Sequence, residues 1–270
     1  MCRRYLVRKV EGIRGVPRFL CKEYEEKKRD YVVLIPVINE GERIGKELAR
    51  AQAAQISKYA DLVICDGGST DGSMSDENMK VHKVNALLIK TDKGKQGAQL
   101  RMGFWWALER GYKGIVTIDG NNKDSIEDVP QFIKKLKEGY GFIQGSRFVT
   151  GGHAIHTPII RYWAVRLIHA PVISLTAHHW FTDTTNAYRG YSAEYLSDSR
   201  VLPLRDIFSG YELLAYLSVR ASQLGYKVCE VPVTRRYPAK GKTPTKISFF
   251  RGNTNLLQIL LKNWLGKYNP

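Results

Sequence analysis

The chain has 270 residues, of which 43% are hydrophobic, enough for one large α/β domain with its own core. Its 42 lysines and arginines exceed its 26 acidic residues by 16, and so basic a protein favours polyanionic partners such as nucleic acid, phosphoglycans or an anionic membrane surface. Because the chain has no apolar run of about 18 residues, no secretory leader at MCRRYLVRKVEG and no CxxC or CxxH spacing, we expect a cytoplasmic protein without a spanning helix, disulfide framework or zinc site.

The first elements along the chain are a charged extension and a buried strand. Residues 1–30 have too few apolar side chains for a core of their own, and we expect a basic N-terminal extension that is partly helical. The β-branched run YVVLIPVIN from residue 31 predicts a strand that is buried on both faces. EGERIGKELARAQAAQI then predicts a helix, and ADLVICDGGSTDGS a second strand that ends in acid and glycine.

Strand and helix continue to alternate. NALLIKTD and KGIVTIDG predict strands, while GKQGAQLRMGFWWALERG and SIEDVPQFIKKLKEG predict helices. This order is typical of an α/β, doubly wound and mostly parallel sheet that binds ligands at the carboxyl ends of its strands. We expect a Rossmann-like nucleotide-binding half over residues 31–150 and a mixed acceptor-binding half over residues 151–250.

The last 20 residues, 251–270, predict an amphipathic C-terminal helix. TNLLQILLKNWLGKY places five apolar residues along one helical face: Leu256, Leu257, Leu260, Leu261 and Trp264. We interpret this face as a core or dimer contact, and an anchor at a membrane interface is the alternative. The sequence leaves the oligomeric state open.

Acidic residues follow three of the predicted strands. Glu40 follows the first, Asp66 and Asp71 follow the second, and Asp119 follows the fourth. Because the carboxyl ends of parallel strands share one edge, we expect these four acids to gather at a single crevice. Acids in one cleft repel unless they accept hydrogen bonds or hold a cation, which suits a nucleotide base and ribose on one side and a metal diphosphate on the other.

Seven stretches of the chain resemble, in order, the motifs of inverting family 2 glycosyltransferases of the GT-A fold, and in particular the branch of dolichyl- and polyprenyl-phosphate sugar synthases. They are IPVINEGERIG, LVICDGGSTDGS, KGKQGAQLRMGFWWA, IVTIDGNNKDSIEDVPQFI, IQGSRFVTGG, TDTTNAYRGYS and GYKVCEVPVTRRY. The resemblance implies a UDP- or GDP-sugar donor and a polyprenyl phosphate, glycolipid or other hydroxyl or phosphate acceptor. It also implies that Pro36, Glu40, Asp66 and Asp71 line the pocket for the nucleobase and ribose.

Several of these residues also suit a purely structural role. Asp71 fits an N-cap in TDGS, and Glu40 fits an exposed acid at a helix start. Lys95 and Gln96 lie in the glycine-spaced turn DKGKQG, where they either contact phosphate or form a solvated turn. We interpret Asp124 as the N-cap of the helix that follows it.

The stretch TIDGNNKD stands where the family has its metal-binding motif, but it matches that motif only in part. Asp119 matches the first acid, and with Gly120 it is expected beside the donor diphosphate, but the third position is Asn121 and Lys123 replaces a glutamine of the lipid-phosphate branch. We prefer the interpretation that Asn121 coordinates a divalent cation, Mn²⁺ or Mg²⁺, through its amide oxygen beside Asp119. Alternatively, Lys123 supplies a fixed positive charge and the metal is dispensable.

Arginines mark the second half of the chain as a phosphate-binding half. Arg147 ends a strand in GSR, and Arg161, Arg235, Arg236 and Lys246 follow in the region that matches the family's acceptor and phosphate side. A planar guanidinium can bond two oxygens of a diphosphate at once. A surface ion pair is the alternative for Arg161.

Two acids are candidates for the catalytic residue that orients the acceptor or removes its proton. Asp183 lies in TDTTNAYRGYS, which matches the family segment that closes over the donor sugar, and Arg189 is expected to hold this loop. Glu212 in FSGYELL is the second candidate, and an acid on a helix surface is its alternative interpretation. A hydroxyl acceptor needs such a base, whereas a phosphate acceptor is already anionic.

The sequence thus predicts an inverting glycosyltransferase that moves a sugar from a nucleotide-sugar to an anionic acceptor, which is a lipid phosphate, glycan or nucleic acid. A peripheral contact with a membrane would accompany a lipid acceptor. Transfer to modified nucleic acid bases is the alternative that the net charge of +16 allows. A nucleotidyltransferase, a non-catalytic nucleic-acid-binding protein and a degenerate donor-binding protein are the rival classes.

Overall fold

The computed structural model describes residues 6–239 and 249–270, so Lys246 lies outside the described residues. The strands are β1 (Leu6–Val10), β2 (Phe19–Glu23), β3 (Tyr31–Val37), β4 (Asp61–Asp66), β5 (Ala86–Lys90), β6 (Gly114–Thr117), β7 (Phe142–Ser146), β8 (His153–Ile155), β9 (Arg189–Ser192), β10 (Val228–Pro232) and β11 (Thr234–Arg236). The α-helices are α1 (Glu42–Ala53), α2 (Asp76–Val81), α3 (Gln96–Glu109), α4 (Val129–Lys137), α5 (Ile159–Ala164), α6 (Ala170–Ala177), α7 (Ala193–Ser197), α8 (Glu212–Gln223) and α9 (Phe249–Trp264). Short 3₁₀ turns occupy Ile56–Lys58 and Ile126–Asp128, and a π-helical turn, Val165–His169, joins α5 to α6.

Within the described residues, nine strands form one sheet in the order β1-β2-β5-β4-β3-β6-β9-β7-β10, and β8 pairs with β11 in a second, two-stranded sheet. Strands β5, β4, β3 and β6 run parallel to one another, as the alternation of strand and helix predicts. Strand β9 is antiparallel to both β6 and β7, and it thereby joins the parallel first half to the parallel pair of β7 and β10.

Both faces of the sheet are covered. In β3, Val32 and Leu34 belong to the core cluster that also contains Leu100 of α3, whereas Val33 and Ile35 belong to the cluster on the α1 side. Successive side chains of a strand point to opposite faces, so a strand buried on both faces must be apolar throughout. This requirement explains why the run from residue 31 shows no polar alternation.

The N-terminal segment differs from the expected helical extension. Strands β1 and β2 are antiparallel to each other, and β2 is antiparallel to β5, so this segment widens the main sheet. The cause is a period of two in FLCKE, where Phe19 and Cys21 are buried in the core while Leu20 and Lys22 are less buried. The density of charged residues around this short alternation hides it in the sequence.

The C-terminal helix α9 forms as predicted, but its apolar residues do not share one environment. Leu260 is buried and Leu256 is half-buried, whereas Leu257, Leu261 and Trp264 are 54%, 51% and 64% exposed. The inward face is completed by Ile259 and by Asn263, whose side-chain amide donates to the carbonyl of Ala215 in α8 at 3.1 Å. The predicted apolar face is therefore divided into a part that packs in the core and a part that is exposed, and a dimer contact through the exposed part stays a prediction. Within the described residues, no helix has the length and apolarity that crossing a membrane requires.

Gln99 of α3 ties together the ends of two central strands. Its buried side-chain amide donates to the carbonyls of Val37 in β3 and Cys65 in β4, each at 2.7 Å. Gln99→Leu is expected to lower the free energy of unfolding by about 1–3 kcal/mol, because buried carbonyls lose a donor that water cannot replace. Urea denaturation measures this loss.

Gln52→Leu is the matched control. Gln52 donates to the carbonyl of Val81 at 2.7 Å near the surface, where water can substitute for the lost donor, and its replacement should cost less. Equal losses in the two variants would contradict the assigned role of Gln99.

Candidate active site

The loops that follow three neighbouring parallel strands form one edge of a crevice. Strands β4, β3 and β6 are adjacent, and their carboxyl ends lead to Asp66, Glu40 and Asp119 respectively. Burial and the charge of Arg235 lower the pKa of Lys123, while the charges of Asp119 and Glu40 oppose this shift, so both carboxylates lie within electrostatic range of the ammonium. The structure thus brings together acids that are distant in sequence.

Hydrogen bonds join the loops after β3 and β4. Both carboxylate oxygens of Asp66 accept from the backbone N–H of Ser69 at 3.0 Å, and the Ser69 hydroxyl in turn accepts from the N–H of Asn39 at 2.9 Å. Asp71 accepts from the N–H of Gly41 at 2.8 Å and from the Ser73 hydroxyl at 2.5 Å. The two loops therefore form one preorganised wall.

Asp71 is exposed to solvent, whereas Asp66 is buried. Slight burial raises the pKa of Asp71, but hydrogen bonds from Ser73 and Gly41 outweigh this and lower the pKa below its ordinary value. Glu40 is partly buried, and its carboxylate accepts from Arg43 at 2.8 Å, a pairing within the first helical turn. Asp71 is thus an ionised, solvent-accessible acceptor on this wall.

Pro36 and Gly120 shape the floor of the crevice through their backbones. Pro36 is buried within β3, and its carbonyl accepts from the N–H of Gly120 at 3.4 Å. A Cβ on Gly120 would lie 2.7 Å from Val37 and 3.0 Å from Ile35, so this close approach requires glycine. This packing holds the backbone that carries Asp119 against β3.

Three side chains surround the carboxylate of Asp119. Gln96, at the start of α3, donates its side-chain amide to one oxygen at 2.8 Å, and the Arg235 guanidinium lies 3.4 Å from the other. The side-chain nitrogen of Asn121 is 3.4 Å from that same oxygen. Lys95 is exposed; its backbone N–H donates to the carbonyl of Ser209 at 3.0 Å, and its own carbonyl accepts from the N–H of Gln99 at 3.2 Å.

The residues present fit a divalent cation only in part. Among the described residues, no group of three or more histidine, cysteine, aspartate and glutamate side chains could hold a metal ion. Asn121 directs its amide nitrogen at Asp119 and uses its oxygen to accept from the N–H of Lys123 at 3.2 Å. Asp119 is therefore the carboxylate that a cation could share with a bound diphosphate, and Asn121 is not oriented as a ligand.

A buried acid that the sequence analysis missed supports this loop. Glu47 of α1 is fully buried, and its carboxylate accepts from the N–H of Asn122 at 2.7 Å. Burial raises the pKa of Glu47 well above its ordinary value. The signal in the sequence is an acid placed between Ile44 and Leu48 on the apolar face of a helix.

Asp124 is not the helix cap that its position suggested. Its side chain is fully buried and is ion-paired with Arg235, and Ser125 instead precedes the 3₁₀ turn. Burial raises the pKa of Asp124 to about 6 although the positive charge of Arg235 opposes the shift. Burial alone would lower the pKa of Arg235, but Asp124 and Asp119 raise it above its ordinary value. The interpretation as an N-cap was wrong because a long-range ion pair takes up the carboxylate.

A cluster of cations surrounds Tyr237, which the sequence analysis also missed. Arg161 donates to the phenol oxygen at 3.0 Å, while Arg235 and the Lys123 ammonium lie 5.6 and 5.4 Å from the ring centre. Burial raises the pKa of Tyr237, but the charges of Arg235, Arg161 and Arg147 outweigh this and lower it. We call these four basic residues with Tyr237 the cationic cluster.

The two adjacent arginines of β11 lie on opposite sides of the strand. Arg235 is buried in the cationic cluster, whereas Arg236 is exposed and its backbone N–H donates to the carbonyl of Lys123 at 2.8 Å. Because strand side chains alternate between faces, only one of the two can enter the site. Arg236 therefore lies outside the cationic cluster, and its expected contact with the donor diphosphate stays a prediction.

Arg147 and Asp183 form a buried pair. The guanidinium donates to the two carboxylate oxygens of Asp183 at 2.6 and 2.8 Å, and both residues are buried. Burial raises the pKa of Asp183, but Arg147 outweighs this and lowers it. A base must reach the attacking oxygen with a free lone pair. This geometry therefore opposes the expected base role and instead makes Asp183 the residue that orients Arg147.

Two further residues hold the loop that carries Asp183. Glu230 of β10 accepts from the N–H of Thr182 at 2.9 Å and from the N–H of Asp183 at 3.1 Å. Arg189, fully buried, donates to the carbonyl of Thr184 at 2.9 Å, in agreement with the loop-holding role expected from sequence.

Glu212 begins α8 and is partly buried. Its carboxylate accepts from the N–H of Ser209 at 3.0 Å, and the carbonyl of Ser209 accepts from the N–H of Lys95 before α3. Glu212 is therefore placed next to the start of α3 and serves the first turn of its own helix. A role as the acceptor's base stays a prediction.

Comparison with known proteins gives relatives by sequence and by structure, although no protein-family model matches the chain. It is 30% identical over 213 residues to the undecaprenyl-phosphate mannosyltransferase of Micrococcus luteus, covering 75% of this chain and 82% of that protein. It is 30% identical over 219 residues to the polyprenol monophosphomannose synthase of Mycolicibacterium smegmatis, covering 75% and 76%. Its structure resembles glucosyl-3-phosphoglycerate synthase of Mycobacterium tuberculosis, solved with Mn²⁺, uridine diphosphate and phosphoglyceric acid, with a TM-score of 0.61, 16% identity and coverage of 87% and 78%. The last likeness confirms the predicted GT-A fold.

The carboxyl of Glu230 is expected to make stability depend on pH. Burial raises its pKa from 4.5 to about 7, so the folded state binds this proton more tightly than the unfolded state. Its stabilising contribution is fully present below about pH 4.5 and is lost as the pH rises through 7. Relative to the wild type, Glu230→Gln should gain up to about 2 kcal/mol in unfolding free energy between pH 5 and pH 8, after allowance for solvent screening.

Urea denaturation at the two pH values measures this difference. Glu42→Gln, at a side chain that is 88% exposed, is the control and should show no such pH-dependent gain. A Glu230→Gln variant that follows the wild type at both pH values would refute the shifted titration.

Proposed function

We propose that this chain, which belongs to the family 2 glycosyltransferases of the GT-A fold, transfers a sugar from a nucleotide-sugar to a polyprenyl phosphate. Within that family it belongs to the branch of dolichyl- and polyprenyl-phosphate sugar synthases. Both curated relatives described above are named as transferring mannose to such a lipid phosphate. A lipid phosphate is therefore preferred over the nucleic acid acceptor that the net charge allows. The sugar and the nucleotide are not part of the proposal.

The observation that carries the proposal is the cationic cluster opposite Asp119. Arg147, Arg161, Arg235 and Lys123 supply positive charge within one buried region, and Arg235 lies 3.4 Å from the Asp119 carboxylate. A phosphate that attacks a sugar and a diphosphate that leaves it both carry negative charge, and preorganised cations in a site of low dielectric stabilise that charge strongly. The cationic cluster is therefore suited to stabilise both the phosphate that attacks the sugar carbon and the diphosphate that leaves it.

The state of Asp183 supports a phosphate acceptor over a hydroxyl acceptor. An alcohol must lose a proton as it attacks, so it needs a base within hydrogen-bond reach, whereas a phosphate is already anionic. Asp183 is buried and engaged by Arg147 through both oxygens. It therefore serves a phosphate acceptor by fixing Arg147 rather than by accepting a proton.

In the proposed reaction, a phosphate oxygen of the acceptor attacks the anomeric carbon from the side opposite the diphosphate. A new carbon–oxygen bond forms as the bond to the leaving diphosphate breaks, so the configuration inverts and no proton is transferred. The walls after β3 and β4, with Asp66 and Asp71, would bind the nucleoside of the donor. Arg235 and Lys123 would hold the phosphate groups, with Gln96 fixing the orientation of Asp119.

Asp119 would supply the one protein carboxylate for a divalent cation, and the donor diphosphate would supply further oxygen ligands. When bound there, the cation would neutralise the charge that develops on the leaving group. The Mn²⁺ in the structural relative is described together with uridine diphosphate. We extend a divalent cation, Mn²⁺ or Mg²⁺, to this chain as part of the proposal, with Asp119 as its carboxylate ligand.

Asp119→Asn is the direct test of the donor site. Loss of the carboxylate charge should lower kcat/KM by at least about 100-fold, the scale on which catalytic electrostatic contacts act. The assay follows release of nucleoside diphosphate and labelled lipid from a panel of UDP- and GDP-sugars with polyprenyl phosphate, with Mn²⁺ or with chelator.

Asp30→Asn is its control, because Asp30 precedes β3 at the opposite end of the strand, where it pairs with Lys113. This variant should keep its activity within about twofold. If the wild type transfers no sugar from any donor yet binds nucleotides, the protein is a donor-binding protein without activity and the proposal fails.

The neighbouring arginines of β11 provide a matched pair of variants. Arg235→Met should reduce kcat/KM by about 100-fold or more, because it removes a buried charge opposite Asp119, while Arg236→Met changes an exposed side chain and should stay within about threefold. Steady-state kinetics and thermal unfolding of both variants separate loss of activity from loss of fold. Equal effects on activity would contradict the assignment of Arg235 to the phosphate site.

A further inference from the structure

The loop that joins β1 to β2 and the turn before α3 form a cavity of about 560 Å³. A volume of this size is typical of pockets that bind small molecules. The loop, residues 12–17, lies outside the seven stretches that resemble the glycosyltransferase motifs, so the cavity depends on the N-terminal extension of this chain. We call it the N-terminal cavity, and its other lining residues are Asp92, Lys93, Gly94, Arg101, Asp206 and Ser209.

Arg101 brings a buried guanidinium with unused donors to the wall of this cavity. The residue is 6% exposed, and its Nη1 donates to the carbonyl of Gly15 at 2.5 Å and to a carboxylate oxygen of Asp206 at 2.8 Å. Among the described residues, the buried Nε has no hydrogen-bond partner and Nη2 makes no hydrogen bond. Nε and Nη2 are the same two donors with which Arg147 binds both oxygens of Asp183. The free side of Arg101 is therefore suited to an anion with two oxygens.

The positive charges around the N-terminal cavity exceed the negative ones. Arg14 and Lys93 line it and are exposed. Of the two acids in its lining, Asp92 accepts from the backbone N–H of Arg18 at 2.7 Å and from its Nε at 2.8 Å, and these bonds lower the pKa of Asp92. The side chain of Asp206 is 84% exposed, so water screens its charge. An anion at the buried guanidinium would thus meet more attraction than repulsion.

From these features we propose that the N-terminal cavity binds a small phosphate monoester, whose phosphate group accepts hydrogen bonds from Nε and Nη2 of Arg101. Arg14 and Lys93 would flank the same phosphate as further cations. The apolar part of the lining is aliphatic and includes Val16 and Pro17, and no aromatic ring of the described residues lines the cavity. Since a nucleobase usually stacks on such a ring, the organic part of the ligand is a small aliphatic group.

The N-terminal cavity adjoins the candidate active site through the turn before α3. Gly94 lines the cavity, and Gln96, two residues later, donates to Asp119 at 2.8 Å. Ser209 also lines the cavity, and its carbonyl accepts from the N–H of Lys95 at 3.0 Å. A ligand that orders this turn should therefore raise the affinity for a nucleoside diphosphate, and the nucleotide should raise the affinity for the ligand by the same factor. This coupling, but not the binding itself, rests on the proposed function.

The test is calorimetric titration of the protein with inorganic phosphate and with ethyl phosphate at low ionic strength. Both probes should bind, and ethyl phosphate more tightly, because its organic group contacts the aliphatic lining. The double variant Arg14→Ser, Lys93→Ser changes only exposed residues and should bind ethyl phosphate at least about tenfold more weakly.

The matched control, Lys58→Ser with Lys113→Ser, removes the same charge from exposed residues at the amino end of the sheet. It should bind ethyl phosphate within about twofold of the wild type, because charges beyond the screening length contribute little. Circular dichroism and thermal unfolding establish that each variant is folded.

Nuclear magnetic resonance locates the bound probe. The assigned Nε–H signal of Arg101 should move on addition of ethyl phosphate, because this donor gains an acceptor. Three outcomes would overturn the inference. These are a wild type that binds neither probe, a folded double variant that binds ethyl phosphate like the wild type, and binding that leaves the signal of Arg101 unmoved. The last result would assign the probe to another site, such as the cationic cluster.

Nucleotide binding separates this inference from the proposed function. Ethyl phosphate should raise the affinity of the wild type for UDP or GDP by at least about fivefold and should have no such effect on the double variant. Competition between ethyl phosphate and the nucleotide would place the probe in the donor site and refute the assignment to the N-terminal cavity. Binding at Arg101 by a wild type that transfers no sugar to any acceptor would leave the cavity's ligand in place and refute the proposed function alone.

Discussion

A guanidinium buried in a protein must be compensated by carboxylates, and Arg235 meets this requirement with Asp124 and Asp119. The two acids belong to the loop after β6, whereas Arg235 belongs to β11, more than a hundred residues later in the chain. This ion pair therefore joins residues 31–150 to residues 151–250 through the site itself. Removing either partner would leave an uncompensated buried charge, so the position of β11 depends on the loop that carries Asp119.

The same ion pair separates the site into two electrostatic regions. Asp66, Asp71 and Glu40 lie on the wall after β3 and β4, where backbone and hydroxyl donors bind the two aspartates and Arg43 binds Glu40. The cationic cluster lies on the side of β11 and Tyr237. A donor whose neutral nucleoside rests on the acidic wall would thus extend its diphosphate toward the cations. This polarity orients the ligand before any contact with the sugar is made.

The sequence predicts most of the parallel sheet because each central strand is an uninterrupted apolar run between polar turns. It fails at β2, where burial alternates within a charged stretch. It predicts α9 but not how tertiary packing divides the apolar face of this helix into a buried and an exposed part. It also predicts which acids gather at the crevice, because strand ends share an edge. It cannot predict the burial of Asp183, since that depends on an arginine 36 positions away. The separation of Arg235 from Arg236 was accessible from the two-residue period of a strand.

The antiparallel pairing of β1 with β2 has a consequence for how the molecule coexists with copies of itself. Strand β1 is the outermost strand on its side of the described sheet, and such a margin offers backbone groups that could recruit a strand from another molecule. Arg8 and Lys9 stand on this margin, with side chains that are 54% and 63% exposed. Lysine and arginine on an outermost strand disfavour its pairing with a strand of another molecule, so β1 is suited to discourage edge-to-edge association.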